Sequence, residues 1–117
     1  MASRIQRKRM RGWRMPPHAV YIGRPSKWGN PFEIYYDPSK RLWRIGKEEY
    51  SHRLLAQKRA VDLFRNWLLS CEREALAMRA SLEEIRGCDL ACWCAEGTPC
   101  HGDVLIEFAN EGTDHGK

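Results

Sequence analysis

Three cysteines and one histidine lie within a ten-residue segment near the C-terminal end of the chain, and their side chains are the best suited to chemistry. Thiolate sulfur and imidazole nitrogen are ligands that Zn²⁺ prefers, usually four at a time in tetrahedral geometry. The spacing C-x-C-x5-C-H is not a common zinc-finger spacing, so the residue types carry the prediction. The candidate ligands of a Cys3His zinc site are Cys92, Cys94, Cys100 and His101.

A second interpretation of this segment needs no metal. If Thr98 caps a helix that begins at Pro99, Cys100 and His101 lie in its first turn. Free N–H groups and the positive end of the helix dipole would stabilise a Cys100 thiolate there, with His101 or Cys94 as its partner. A third interpretation is that the cysteines only pack a buried strand, since free Cys behaves as a small apolar residue. The candidate catalytic residues are Glu96, Cys100, His101 and Asp103.

A loop after the first apolar run contains the second group of candidate residues. Residues 19–22 are β-prone and Gly23 ends them, so they are predicted to form a core strand. Prolines stiffen the following loop, and its donors and two cations suit a phosphate or nucleotide. Trp28 could stack on a purine, or it could instead cover the edge of the core from a surface turn. The candidate binding residues are Arg24, Ser26, Lys27, Trp28 and Asn30.

All of the net charge of +5 comes from the first fifteen residues, which hold six basic side chains and no acidic one. A segment of this kind typically binds a polyanion, most often nucleic acid, although it can also be a solvated tail. We therefore predict an extended arm over residues 1–17 that contacts DNA or a nucleotide. Its basic residues are Arg4, Arg7, Lys8, Arg9, Arg11 and Arg14.

The remaining pattern predicts a single α/β domain with a small sheet, a β-hairpin and three to four helices. Its predicted boundaries are residues 18–110, followed by a polar tail at 111–117. A capping box at Ser81 and Glu84 is expected inside the second helical region. The other predicted elements are a hairpin at 32–36 and 42–45, helices near 47–69, 72–86 and 100–110, and a buried strand near 88–94.

These elements are expected to bring the two groups of candidate residues together. In open α/β sheets, ligands bind beyond the carboxyl ends of the strands. If the strands at 19–22 and 88–94 run parallel, the loops 23–31 and 95–101 emerge at the same edge. A shared pocket between these loops is the central structural prediction.

The odd count of five cysteines and the basic N-terminal residues predict a reduced, cytoplasmic protein. No apolar run has the length of a membrane span, so we expect no membrane partner. The sequence leaves the oligomeric state open.

Two long motifs are the basis of a resemblance. Residues 20–32 read V-Y-I-G-R-P-S-K-W-G-N-P-F, and residues 92–94 and 100–105 read C-W-C and C-H-G-D-V-L. With these motifs the chain resembles an uncharacterised domain family, a domain of unknown function frequent in phage genomes and also found in bacteria. The resemblance covers roughly residues 4–110. A phage protein of this family would work in the host cytoplasm.

The resemblance implies a role in DNA modification. Its sharpest form is a methyltransferase that acts on the aminomethyl group of a 7-deazaguanine base in DNA, with S-adenosylmethionine as the donor. The glycine fingerprint of Rossmann-type enzymes is absent, so such a transferase would use another scaffold. Two alternatives remain: a zinc-stabilised nucleic-acid-binding module without catalysis, and a nucleotide-processing enzyme with a Cys100 thiolate.

Overall fold

The computed structural model describes residues 2–111, so of the predicted polar tail at 111–117 only Glu111 lies within the described residues. These residues form two three-stranded sheets and three α-helices, which confirms the α/β class. The strands are β1 (Arg4–Gln6), β2 (Val20–Tyr21), β3 (Tyr35–Asp37), β4 (Leu42–Ile45), β5 (Glu48–Tyr50) and β6 (Leu90–Cys92). The helices are α1 (Arg53–Leu68), α2 (Arg73–Ala80) and α3 (His101–Ala109), with a 3-10 turn at Leu82–Ile85.

The first sheet is parallel and has β6 at its centre, between β1 and β2. Arg4 and Val20 both lie opposite Leu90, so the strands predicted near 19–22 and 88–94 do run parallel. Part of the segment predicted as an extended arm belongs to the domain, because residues 4–6 form an edge strand of this sheet. A buried central strand needs hydrogen-bond partners on both sides, and β1 supplies those on one side.

The second sheet contains the predicted hairpin and one strand that was not predicted. Strands β3 and β4 are antiparallel, with Tyr35 opposite Arg44. The prediction of a helix from residue 47 was wrong, since Gly46 turns the chain with a φ of 58° and β5 pairs with β4. Helix α1 begins only at Arg53, where residues with an apolar 3.6-residue period begin.

The core lies between one face of the parallel sheet and helices α1 and α3. Alternate residues of a strand face the same side, so Ile22, Leu90 and Cys92 all point into this layer. They pack with Phe64 and Leu105, which are buried. No helix in the described range combines the length and the apolar character that a membrane span requires.

The capping box predicted at Ser81 and Glu84, between α2 and β6, is not formed. The Ser81 hydroxyl donates to the carbonyl of Ala77 and does not cap the turn that follows. Glu84 pairs with Lys27 instead of returning to Ser81. The predicted capping box is therefore wrong, because a tertiary ion pair takes the glutamate that the motif requires.

Candidate functional site

A cleft of about 380 Å³ lies where the parallel strands end. The loop after β2 contributes Arg24 and Asn30 to it, and the start of α3 contributes its N-cap Cys100 and its first residue His101. The two loops therefore share one cleft, as the parallel pairing predicted. This is the position at which α/β sheets bind ligands.

The cleft combines flat rings with positive charge. Arg24 and Arg53 supply two guanidinium groups, and Trp43, Trp93 and Phe32 are among the aromatic residues that line it. Among the described residues, no aspartate or glutamate lines this cleft. A site of this composition favours an anionic ligand with a planar group, because the charges attract the anion and the rings stack on the planar part.

Three cysteines form a cluster in the cleft, which we call the cysteine cluster: Cys92, Cys94 and Cys100. Their sulfur atoms all lie within 4.8 Å of one another, and those of Cys92 and Cys100 are 3.4 Å apart. Cys92 is the last residue of β6, Cys94 lies in the bend that follows, and Cys100 reaches them as the N-cap of α3. Such a group could hold a metal ion. Sulfurs bound tetrahedrally to one zinc lie about 3.8 Å apart, given a Zn–S bond of about 2.3 Å, so the cluster has a suitable size.

Arg4, which the sequence places among the basic residues of the extended arm, lies beside the cysteine cluster. Its Nη1 donates to the sulfur of Cys92 at 3.8 Å, and its Nη2 donates to the carbonyl of Thr98 at 2.8 Å. Its Nε pairs with Asp103 at 3.3 Å, and only 12% of its side chain is exposed. Arg4 thus joins β1 to the cysteine loop and α3, and it places a cation beside the sulfur atoms. Only the register of β1 on β6 reveals this role.

The cluster favours ionisation at a different cysteine from the one predicted. The Cys100 thiol donates to the sulfur of Cys92, and with help from Cys94 and Arg4 this lowers the pKa of Cys92 well below its usual range. The same hydrogen bond, together with Cys94 and burial, raises the pKa of Cys100. The metal-free cluster thus favours Cys92 over Cys100 as the thiolate, and a Cys100 nucleophile stays a prediction. The N–H of Gly102 donates to the Cys100 sulfur at 3.4 Å. This bond favours the Cys100 thiolate, but the two neighbouring cysteines have a larger and opposite effect on the pKa.

His101 is buried, and its ring is hydrogen-bonded to the loop after β2. Its Nε2 lies 3.0 Å from the carbonyl oxygen of Ile22 and 2.9 Å from that of Trp28. Both atoms are acceptors, so Nε2 carries the proton, and burial lowers the pKa of the ring. Nδ1 is then an acceptor, 3.9 Å from the Cys100 sulfur. His101 is not part of the cluster whose donor atoms lie together, so the predicted Cys3His set reduces to three cysteines.

The candidate residues of the first loop divide between the cleft and other roles. Arg24 and Asn30 line the cleft, and the Arg24 guanidinium donates to the carbonyl of Asn30 at 2.8 Å. Trp28 is only 4% exposed and belongs to the core, so it presents no free face to a base. The Ser26 hydroxyl accepts from the Trp28 N–H, and Lys27 pairs with Glu84 outside the cleft.

The two candidate carboxylates do not line the cleft. Asp103 is paired with Arg4, and Glu96 is exposed, with its N–H bound to Gln6. Arg53 and Trp43, by contrast, are cleft residues that the sequence analysis missed. They lie on α1 and β4, and their position beside the cysteine loop has no signal in the sequence.

The remaining five basic residues of the first segment do not line the cleft. Arg7 and Arg9 stack on the ring of Trp93. The others, Lys8, Arg11 and Arg14, are exposed. Within residues 2–111 none of these five side chains forms an ion pair.

Replacement of Arg4 by glutamine should destabilise the fold by about 2 kcal/mol, since the buried guanidinium satisfies a carbonyl, a sulfur and a carboxylate. Urea unfolding of the purified variant measures this change. Arg11→Gln is the matched control, because Arg11 is exposed, and it should change the unfolding free energy by less than about 0.5 kcal/mol. Equal stability of the two variants would contradict the assignment of Arg4 to the site.

Comparison with known proteins identifies a family but no solved relative. The profile of the domain of unknown function DUF4326 matches residues 5–111. The chain is also similar to the uncharacterized 12.4 kDa protein in the nrdA-td intergenic region of Enterobacteria phage T4. The two are 29% identical over 91 residues, which cover 78% of this chain and 67% of the relative. No solved structure matches the chain.

Proposed function

The chain belongs to the domain family DUF4326, and from that premise we propose that it is an enzyme that modifies a nucleobase of phage DNA. One observation carries the proposal: the cysteine cluster lies in the same open cleft as Arg24, Arg53 and several aromatic rings. A purely structural metal site would be closed and would have no reason to share a ligand-sized cleft. This arrangement therefore supports catalysis over binding alone.

The charges of the cleft support a nucleotide as the group that enters it. Arg24 and Arg53 are cations in a cleft that no described carboxylate lines, so they can bind phosphate oxygens. The aromatic rings offer planar surfaces for the base. A DNA base would have to leave its stack to reach the sulfur atoms, as it does in other enzymes that act on bases.

The cysteine cluster supports zinc as the cofactor. Three thiolates and one Zn²⁺ carry a net charge of −1, and the guanidinium of Arg4 lies close enough to balance it. Cys92, Cys94 and Cys100 would be the protein ligands. Three protein ligands leave one position for water or substrate, and bound zinc would act there as a Lewis acid.

The finer proposal is methyl transfer to the aminomethyl group of a 7-deazaguanine base, with S-adenosylmethionine as the donor. The amine lone pair would form the new N–C bond while the C–S bond of the sulfonium breaks, which releases a thioether and one proton. Arg24 and Arg53 support this chemistry, because nearby cations lower the pKa of an ammonium group and favour the neutral, nucleophilic amine. The released proton would pass to solvent water through the open cleft, because burial lowers the pKa of the His101 ring and makes it a poor acceptor.

Mass spectrometry of nucleosides tests the proposal in phage or cellular DNA made with and without the gene. We expect one nucleoside to appear only with the gene, heavier than its precursor by one methyl group. The variants Arg24→Gln and Arg53→Gln should lower its yield at least about tenfold, since a hydrogen bond to a charged group contributes roughly 1.5–3 kcal/mol. An unchanged nucleoside profile would exclude DNA base modification.

Lys47→Gln is the matched control for both arginine variants. It removes one positive charge from an exposed turn that does not line the cleft, so the yield should stay unchanged. A modified product that forms on free mononucleotides but not in DNA would replace this proposal by the nucleotide-processing alternative.

A further inference from the structure

A group of aromatic and guanidinium side chains occupies the face of the parallel sheet that is turned away from the helices. The pairing of β1, β2 and β6 continues one residue beyond β1, where the Arg7 N–H donates to the carbonyl of Cys92. Tyr21 lies on β2, and Arg7 and Trp93 directly follow β1 and β6. Their contacts with one another and the alternation of the strands place all three side chains on the face away from the helices. Cys92 of the cysteine cluster points to the other face of the sheet, which packs against the helices.

The side chains on this face stack on one another. The Arg7 guanidinium carbon lies 4.7 Å from the ring centres of both Tyr21 and Trp93. The Arg9 guanidinium carbon lies 4.5 Å from the centre of the Trp93 ring. We call this set, Arg7, Arg9, Tyr21 and Trp93, the Trp93 platform. A guanidinium that stacks by its flat face keeps its N–H groups free at the edge for phosphate oxygens.

The platform is open to a ligand and carries unbalanced charge. Trp93 is 40% exposed, and Arg9 is exposed. In the described part of the chain, neither Arg7 nor Arg9 forms an ion pair or a side-chain hydrogen bond, and the first fifteen residues contain no acid. The platform thus keeps two cations beside an indole, and within the described residues no carboxylate neutralises them.

The platform meets the cleft at a common edge. Trp93 and Tyr21 both line the cleft, and Trp93 lies between Cys92 and Cys94 in sequence. A nucleotide beside the one in the cleft would therefore come to lie over the platform. From this geometry we propose that the platform binds an unpaired stretch of single-stranded DNA and leads it into the cleft, an inference that rests on the proposed function.

The combination of groups favours a single strand over a duplex. A base would stack on the indole in place of one of the two guanidinium groups, and this requires an exposed base face, which a duplex hides between neighbouring base pairs. Arg7 and Arg9 hold the backbone by charge, so binding weakens as salt increases. Alternation of aromatic and guanidinium groups is the composition by which proteins bind single strands without strong sequence preference.

Fluorescence anisotropy with three labelled oligonucleotides of one sequence tests the inference: single-stranded DNA, duplex DNA and single-stranded RNA. The full chain should bind single-stranded DNA most tightly. Trp93→Ala should weaken this binding about tenfold, whereas Trp93→Phe should lose much less because a ring remains. Arg9→Gln should weaken binding and lower the salt slope by about 0.7, the value for one phosphate contact on a single strand.

Lys47→Gln serves again as the control. It removes one positive charge from a turn that is not part of the Trp93 platform, so the affinity for DNA and the salt slope should stay unchanged. If duplex and single-stranded DNA bind equally well and Trp93→Ala loses no affinity, the platform is not a single-strand binding site. Tighter binding of RNA than of DNA would overturn the choice of DNA as the ligand. Circular dichroism of each variant checks folding. The assay requires no chemistry, so a platform that fails while the modified nucleoside still forms is distinguishable from failure of the proposed function.

Discussion

Replacement of Cys100 by serine is expected to reduce the zinc content from about one ion per chain to nearly none. A serine hydroxyl is a poor ligand for zinc, and two cysteines alone do not complete a stable site. Formation of the modified nucleoside should fall by more than about a hundredfold, because loss of even an outer-shell partner typically costs about 10–100-fold. Elemental analysis of protein purified without chelator measures the metal.

The chain contains its own control for this experiment. Cys71 is exposed and lies outside the cysteine cluster, so Cys71→Ser should keep both metal and activity. Because Cys100→Ser could also weaken the fold, Cys94→Ser provides a second test at a less buried position. Wild-type protein that is folded, active and free of zinc would contradict the metal assignment.

Replacement of Phe64 by alanine should destabilise the fold by about 3–5 kcal/mol, the usual cost of emptying a fully buried aromatic site. Phe64 lies on α1 and is completely buried, in one hydrophobic cluster with residues of the parallel sheet and α3. Its ring also meets the His101 ring edge to face at 5.1 Å, so the loss should loosen the start of α3. Urea unfolding measures the stability, and anisotropy measures the consequence for DNA binding.

Leu69→Ala is the matched control for Phe64→Ala. Leu69 directly follows α1 but is 59% exposed, so its removal should change stability by less than about 0.5 kcal/mol. A loss of stability in Phe64→Ala no larger than that in Leu69→Ala would mean that the core is not organised around Phe64.

Local patterns predicted the elements better than they predicted where those elements end. The helix at 53–68 has a clear apolar period, but the same pattern allowed a start at residue 47, where a third strand pairs with the hairpin. Thr98 and Pro99 form a plausible helix start in sequence. The Thr98 hydroxyl instead donates to Ala95, and Cys100 becomes the N-cap because its sulfur belongs to the cluster.

The candidate site divides in the same way. Residue type and spacing selected Cys92, Cys94 and Cys100 together with His101, which lies outside the cluster. The parallel-sheet rule placed their loop beside Arg24 and Asn30. Those inferences depend on short-range geometry, which a sequence carries directly. The order in which distant segments pair is a long-range property, and no local pattern determines it.

By itself, then, the sequence determined the α/β class, the three cysteines that cluster and the cleft that the two loops share. Only the tertiary structure decided that the Arg4 guanidinium lies beside the sulfur of Cys92, and that Trp28 is buried while Trp93 is exposed. The physical reason is that β6 needs hydrogen-bond partners on both sides. The pairing that satisfies it fixes which side chains face the helices, the cleft and the solvent.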